Sequence, residues 1–376
     1  MLWGEFQGSI FYNFGTMSRP HIIFLCPYPL GGAPSQRFRY EQYLPLLQQE
    51  GYTYEIYGFV DDETNRILYQ PGRTVAKLIG VLRGFLRRVA LLPRLKNADF
   101  IFIHREATPI GPPWMEWIIS KVLRKRMIYD FDDAIWLKDT SGVNNFISKL
   151  KWQQKVSSIC RWSFRVSVGN NYLAKFAAEY NKNNIINPTT LDTLHAHRGL
   201  KNHGDRPLTI GWTGSHSTMK YLYPLEGVLK RLEQRYHFRF VVISNRQPDM
   251  QLANLHYIPW AQVREVDDLR QLHIGLMPLP DDPWAKGKCG FKALQYLSLG
   301  IPALVSPVGV NTEIVAHGTN GFVCNNNEDW YEYLSQLMDD AAMRTRLGRA
   351  GRKTVEARYS VQSNRDNFLS LFKDQV

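Results

Sequence analysis

Residues 21–32 read HIIFLCPYPLGG, and residues 208–215 read LTIGWTGS. Each is a short, nearly continuous apolar run that breaks into a glycine-bearing turn. The first is followed by a helical pattern over 35–49, closed by Gly51, and the second by one over 219–236. Strand, glycine loop and helix therefore occur twice. Pro45 lies inside the first helical pattern, where it must kink the helix or split it.

Between the two starts come apolar runs at 54–59, 100–104, 127–131 and 164–168; after the second come runs at 238–244, 274–279 and 302–306. Such runs alternating with helices are the pattern of parallel strands covered on both faces. The fold class is α/β: two Rossmann-like, doubly wound domains facing across a cleft, with ligands expected beyond the strands' carboxyl ends. The expected boundaries are an N-terminal extension at 1–17, a first domain at 18–190, a linker at 191–207, a second domain at 208–358, and a last helix at 359–376 packing back on the first domain.

Composition bounds the function. The chain has 376 residues, 44% apolar and 13% aromatic, enough for two folded cores. Its 46 Lys and Arg against 34 Asp and Glu leave a formal charge of +12, which favours anionic partners: phosphorylated donors, acidic lipid surfaces or nucleic acid. Nucleic acid is set aside, because the basic residues are not interleaved with aromatics in any recognised module. Cys26, Cys160, Cys289 and Cys324 lie far apart with no metal-ligand spacing, so they read as buried thiols in a reducing, cytoplasmic compartment. The first sixteen residues lack a secretory signal pattern, and Met17 offers an alternative start. No run approaches the roughly 20 apolar residues of a membrane span.

The richest chemistry lies at 286–300, KGKCGFKALQYLSLG, followed by IPALVSPVGVNTEIVAHGTNGF. Gly290 precedes a helix on which Lys292 and Gln295 share a face, and Gly300 with Pro302 ends it. A helix N-terminus surrounded by Lys286, Lys288 and Lys292 would stabilise a diphosphate. Read blandly, the same stretch is a surface helix with solvated lysines.

A second cluster, Asp130, Asp132 and Asp133, closes the run at 127–131, and Arg105 and Glu106 close the run at 100–104 in the same way. Three adjacent carboxylates need a compensating cation, for which Arg105 is the candidate. They either cap the next helix, orient or deprotonate an acceptor hydroxyl, or form a phosphatase motif in which Asp130 is the nucleophile. That last motif resembles the haloacid dehalogenase-like one, with Ala134 where Thr or Val is usual.

The stretch 73–96 is amphipathic, with Val75, Leu78, Ile79, Leu82, Phe85, Leu86, Val89 and Leu92 at helical intervals among Lys77, Arg83, Arg87, Arg88 and Arg94. It fits either an anionic membrane surface, at the inner face of the membrane, or a domain helix whose apolar face is core.

Taken together, the opening PYPLGG, the IGWTGS turn, the small-residue loop and helix with Gly-Ile-Pro, Ser-Pro-x-Gly, Glu-Ile-Val and Gly-x-x-Gly-Phe, and the run LGRAGRKTVEARYS resemble family 4 (group 1) glycosyltransferases of GT-B fold. The resemblance implies retaining, usually metal-independent transfer of a sugar from a nucleotide diphosphate donor to a saccharide or lipid-linked saccharide. No cofactor is expected, and magnesium is left open. By this resemblance Gly31 and Gly32 admit the donor to the first domain, Gly214, Lys288, Gly290 and Lys292 hold its diphosphate, Gln295 binds ribose, Glu313 shapes the donor site, and Arg105, Asp130, Asp132 and Asp133 face the acceptor. The family's Glu-x7-Glu pattern is absent, with Gly287 and Gln295 at its two positions. An epimerase or a non-catalytic nucleotide-sugar-binding protein would share these features.

Overall fold

The structure, a computed structural model, describes residues 19–68, 70, 72–137 and 152–373. The expected extension at 1–17 lies outside them.

Two six-stranded sheets are built. The first holds β1 (His21–Cys26), β2 (Thr53–Gly58), β3 (Phe100–His104), β4 (Arg126–Phe131), β5 (Arg165–Val168) and β6 (Asn184–Ile186), ordered β2-β1-β3-β4-β5-β6. The second holds β7 (Thr209–Gly214), β8 (Arg239–Ser244), β9 (Leu255–Pro259), β10 (Ile274–Met277), β11 (Ala303–Val305) and β12 (Gly321–Val323), ordered β12-β11-β10-β7-β8-β9. Every strand pair is parallel. The inner strands are buried almost throughout, which is why their sequences run apolar without alternation.

The strand order reverses beside β1 in the first sheet and beside β7 in the second. Loops at these points diverge to opposite faces and leave a crevice at the carboxyl ends. The turn with Gly31 and the residue Arg105 border the first crevice, and Gly214 and the helix Phe291–Ser298 border the second.

Helical readings needed local revision. The pattern at 35–49 splits into Pro34–Arg37, a 3-10 turn at Glu41–Tyr43 and Leu44–Gln49, with Pro45 in the first turn of the last piece. The pattern at 219–236 breaks likewise, into His216–Met219, a turn at Tyr223–Leu225 around Pro224, and Glu226–Glu233. A proline lacks the N–H that a continuing helix requires. Strands β6, β9 and β12 were not read from the sequence. All three are edge strands: β6 and β9 carry polar or proline residues with only partial burial, and β12 is three residues long.

The amphipathic stretch is one helix, Thr74–Leu95, but its apolar row does not face the core. Gly80, Gly84, Arg88, Leu91 and Leu95 are buried, whereas Val75, Leu78, Ile79, Leu82, Leu86 and Val89 are exposed.

The connection over 187–207 is packed. Gln42 Nε2 donates to the Thr190 carbonyl at 2.9 Å, and Arg352 Nη2 donates to the Thr193 carbonyl at 2.7 Å. Beyond it, the helix Arg365–Ser370 lies against the first sheet, where Phe368 stacks on Tyr43 at 4.1 Å and Phe372 joins the cluster of Ile22 and Phe24.

Helix packing in the second domain depends on one close approach. A methyl at Gly348 would overlap the Gly300 carbonyl oxygen, whereas a methyl at Gly227, on a surface helix, meets nothing. Gly348→Ala should cost about 1–3 kcal/mol or more in urea unfolding. Gly227→Ala should be neutral or stabilising by about 0.5 kcal/mol.

Candidate functional site

The site is founded on register. Across β3, β4 and β5, His104 pairs with Asp130 and Asp130 with Ser167, so three polar side chains emerge side by side on one face at the sheet's carboxyl edge. His104 Nδ1 lies 2.8 Å from Asp130 Oδ2, and Ser167 Oγ donates to Oδ1 at 2.6 Å. Arg39, just after the Pro34–Arg37 helix, closes the group by donating through Nη2 to Oδ1 and through Nε to Oδ2 at 3.3 Å. All four residues are buried. Burial alone would raise the Asp130 pKa, but the Arg39 charge and the His104 bond outweigh it and hold the carboxyl well below the usual range.

This placement corrects the expectation that Asp130 faces an acceptor. Both its oxygens are engaged, by Arg39, Ser167 and His104, which leaves neither free for the nucleophile that the phosphatase reading requires. Because an ionised carboxylate only accepts, the proton of His104 must sit on Nδ1. Nε2 is then an acceptor in the neutral ring, and it has no partner among the described residues. His104 was missed in the sequence. Its signal was its place as last residue of FIFIH, directly before Arg105.

Above this layer, Arg105 adopts a left-handed backbone, φ 59°, rare for a side chain of this size. Its Nε donates to Asp132 Oδ1 at 2.9 Å and its Nη2 to Asp133 Oδ2 at 2.7 Å. Lys288, from the second domain, reaches Asp133 Oδ1 at 2.9 Å. Two cations thus neutralise two carboxylates across the cleft. Burial would raise the Asp132 pKa, but the Arg105 guanidinium reverses the direction and lowers it.

Lys292 differs. It makes no hydrogen bond or ion pair with another described residue, and its Nζ lies 5.6 Å from the Trp212 ring centre. Burial, followed by repulsion from Lys288, pulls its pKa down to about 8. Gly214 makes the room, since a Cβ there would stand 2.8 Å from Lys292 Cε and 2.6 Å from the Trp212 ring. Gly290, at φ 69°, turns the chain into the Phe291–Ser298 helix at a point where a side chain would overlap Ile314. Lys292, Gly214 and this helix N-terminus therefore converge at the reversal point of the second sheet, where free backbone N–H groups and positive charge suit an anion.

The remaining expected residues lie nearby in different roles. Gly31 donates its N–H to Glu41 Oε2 at 3.0 Å, so that amide is already engaged. Gly32 allows the tight turn, because a Cβ would come 2.8 Å from the Pro29 carbonyl oxygen. Gln295 is buried and donates to Glu265 Oε1 at 3.3 Å. Glu265 also accepts from Arg37 Nη2 at 2.9 Å, making a clamp between domains that no motif in the sequence announced. Glu313 is exposed and borders a separate hollow of about 180 Å³ between the domains, lined also by Asn171, Cys289 and Arg358. Among the described residues, no three His, Cys, Asp or Glu side chains are grouped to hold a metal.

Residues 283–354 match the model of the family described as Glycosyl transferases group 1, and this segment holds Lys288, Gly290, Lys292, Gln295 and Glu313. Spore coat protein SA of Bacillus subtilis is 28% identical over 82 residues, 21% of this chain and 22% of that protein, so the match spans about a fifth of the relative's length. Sucrose-phosphate synthase of Thermosynechococcus elongatus superposes with a TM-score of 0.67 at 12% identity, covering 94% of this chain and 98% of that one. The catalytic domain of starch synthase IV of Arabidopsis thaliana, bound to ADP and acarbose, gives 0.64 at 12% identity, covering 94% and 99%. The fold is GT-B, and the group 1 resemblance read from the sequence is borne out.

Two outcomes test this geometry. Removing Asp130 leaves Arg39 buried without its counter-charge, so Asp130→Ala should lose about 3–5 kcal/mol of stability by urea unfolding. For Lys292 the charged form prevails below about pH 8 and is lost as pH rises through it. An anion bound there draws a proton onto the amine, so ADP or UDP affinity by calorimetry should be flat below pH 8 and weaken by up to about tenfold per unit above it. Lys292→Arg should bind without that dependence.

Proposed function

We propose that this protein is a family 4-type retaining glycosyltransferase that moves a sugar from a nucleotide diphosphate donor to a saccharide or lipid-linked saccharide, without a bound metal. The observation that carries the reading is Lys292: a partly buried cation without a hydrogen-bond or ion-pair partner among the described residues, beside a helix N-terminus and inside the segment 283–354 that matches a glycosyltransferase family. A diphosphate leaving group develops negative charge as the glycosidic bond breaks, and preorganised cations and backbone N–H groups lower that barrier. Lys288 and Lys292 supply here the charge that a metal would otherwise bring.

His104 would meet the sugar or acceptor. An unsatisfied buried ring nitrogen costs about 1–3 kcal/mol, and a substrate hydroxyl donating to Nε2 would relieve that cost. Asp130 fixes the tautomer and the ring plane, as a carboxylate does behind a catalytic histidine. Retention is carried over from the group 1 resemblance, and the configuration of the product tests it.

The test is turnover of UDP-, GDP- and ADP-sugars with a panel of saccharide acceptors, with product configuration read by NMR of the anomeric proton. An axial-to-axial or equatorial-to-equatorial product supports retention, and turnover should persist with a chelator present. Lys292→Ala should lower kcat by roughly 10²–10³ and abolish the thermal shift caused by nucleotide. His104→Ala should lower kcat by roughly 10² or more while keeping that shift, since nucleotide is held by the other domain. Donor consumed without acceptor would indicate an epimerase, and donor bound but never consumed would indicate a binding protein; either sinks the proposal.

A further inference from the structure

The Thr74–Leu95 helix is packed with its glycines inward. At Gly84 a Cβ would come 2.7 Å from the Phe59 ring, and at Gly80 it would overlap Thr64. Arg88 is buried beside them, donating to the carbonyls of Ala107 at 2.8 Å, Tyr57 at 3.0 Å and Cys26 at 2.9 Å. These contacts fix the rotation of the helix about its axis.

That rotation turns Val75, Leu78, Ile79, Leu82, Leu86 and Val89 outward, each between 47% and 71% exposed. At about 100° per residue the six fall within about 120° of the circumference and run more than three turns along one convex stripe. An apolar stripe of this extent on one surface is a contact surface rather than ordinary scatter.

Charge selects the partner. Residues 73–96 hold seven Lys and Arg and no Asp or Glu. Arg83, Arg87 and Arg94 follow one edge of the stripe by the same helical count. They reach acids on neighbouring elements, Glu63 at 3.5 Å, Asp61 at 2.9 Å and Glu55 at 3.9 Å. The Arg83 and Arg94 pairs are exposed and weak, so these two guanidinium groups can exchange a carboxylate for a phosphate, whereas Arg87 is also held by the Phe59 carbonyl at 2.7 Å. A stripe that is apolar at its centre and basic along its edge matches the acyl-to-headgroup boundary of an anionic bilayer. The chain's formal charge of +12 acts in the same direction.

We propose that the protein docks on anionic membranes through the outward face of the Thr74–Leu95 helix, with Leu82 and Leu86 near the centre of the buried stripe and the arginine edge on lipid phosphates. Among the described residues no helix is long and apolar enough to cross a membrane, so the attachment is peripheral. The proposal does not depend on the transferase reading, since its readout is binding to vesicles.

The test is co-sedimentation of the full chain with vesicles of phosphatidylcholine containing about 30% phosphatidylglycerol. We expect bound protein that falls at least tenfold in Leu82→Glu/Leu86→Glu and falls again as salt screens the lipid charge. Both side chains are exposed, so the thermal midpoint of the variant should match the wild type. Arg83→Glu/Arg94→Glu leaves the apolar stripe intact and should still weaken binding several-fold. No binding by the full chain, or binding unchanged in both variants, would overturn the proposal. So would a dimer seen by sedimentation velocity that the leucine variant dissociates, because the stripe would then be a contact between copies. Vesicle binding that emerges only after removal of residues 1–18 would likewise assign the stripe to that segment.

Discussion

The buried pairing of Arg39 with Asp130 is the constraint around which the first domain's end of the cleft is arranged. Moving two charges out of water costs several kcal/mol each, and the attraction between them offsets that only if every remaining donor and lone pair is used. Asp130 meets the condition by accepting from Arg39, from Ser167 on one neighbouring strand and from His104 on the other. Arg39 meets it by also donating to the Asn187 carbonyl, just past β6. The pair therefore ties the chain just past the Pro34–Arg37 helix to the carboxyl ends of β3, β4 and β5. It also decides that His104 presents Nε2, and not Nδ1, to whatever approaches.

Contact between the domains is governed by small residues. A Cβ at Gly287 would stand 2.7 Å from the Ala134 Cβ, and one at Gly169 would overlap the Cys289 sulfur. Asn170 uses its two side-chain atoms in different domains: Oδ1 caps the Asn171–Ala178 helix through Leu173 N–H, while Nδ2 donates to the carbonyls of Gly287 and Lys288, each at 3.1 Å. At Gly287 the chain passes too close to Ala134 for a side chain, and Gln295 is directed onto Glu265, a carboxylate carried on a different helix.

Much of this was legible in the sequence, and the limits have physical causes. Inner strands read correctly because burial on both faces forces continuous apolar runs, while β6, β9 and β12, all at sheet edges, escaped because they are short or half-solvated. Lys292, Gly214 and Gly290 were legible because a loop, a helix start and nearby lysines are local features. Arg105 was legible as the compensating cation because Asp132 and Asp133 needed one. Arg39, His104 and Glu265 were not, since each acts on a partner far along the chain, and only sheet register or domain contact brings them together. The Thr74–Leu95 helix illustrates the same limit from the other side. Its periodicity gave a helix and an apolar stripe, but two glycines and a buried arginine decided which face looks inward.

The arrangement couples access to chemistry. In the described state the 286–290 loop rests on Ala134 and Gly169, Lys288 bridges to Asp133, Arg37 bridges to Glu265, and His104 has no surface exposed to water. All of these contacts lie on the same seam between the domains. Lys288 sits at the centre of that seam as a shared cation. On the donor reading proposed above, a phosphate beside Lys292 would compete with Asp133 for Lys288. Closure with donor in place would then bring the cations and His104 together in a cleft that excludes water, where charge stabilisation is strongest. The pairing of Lys288 with Asp133 is thus the contact that couples the proposed donor site to the seam between the domains.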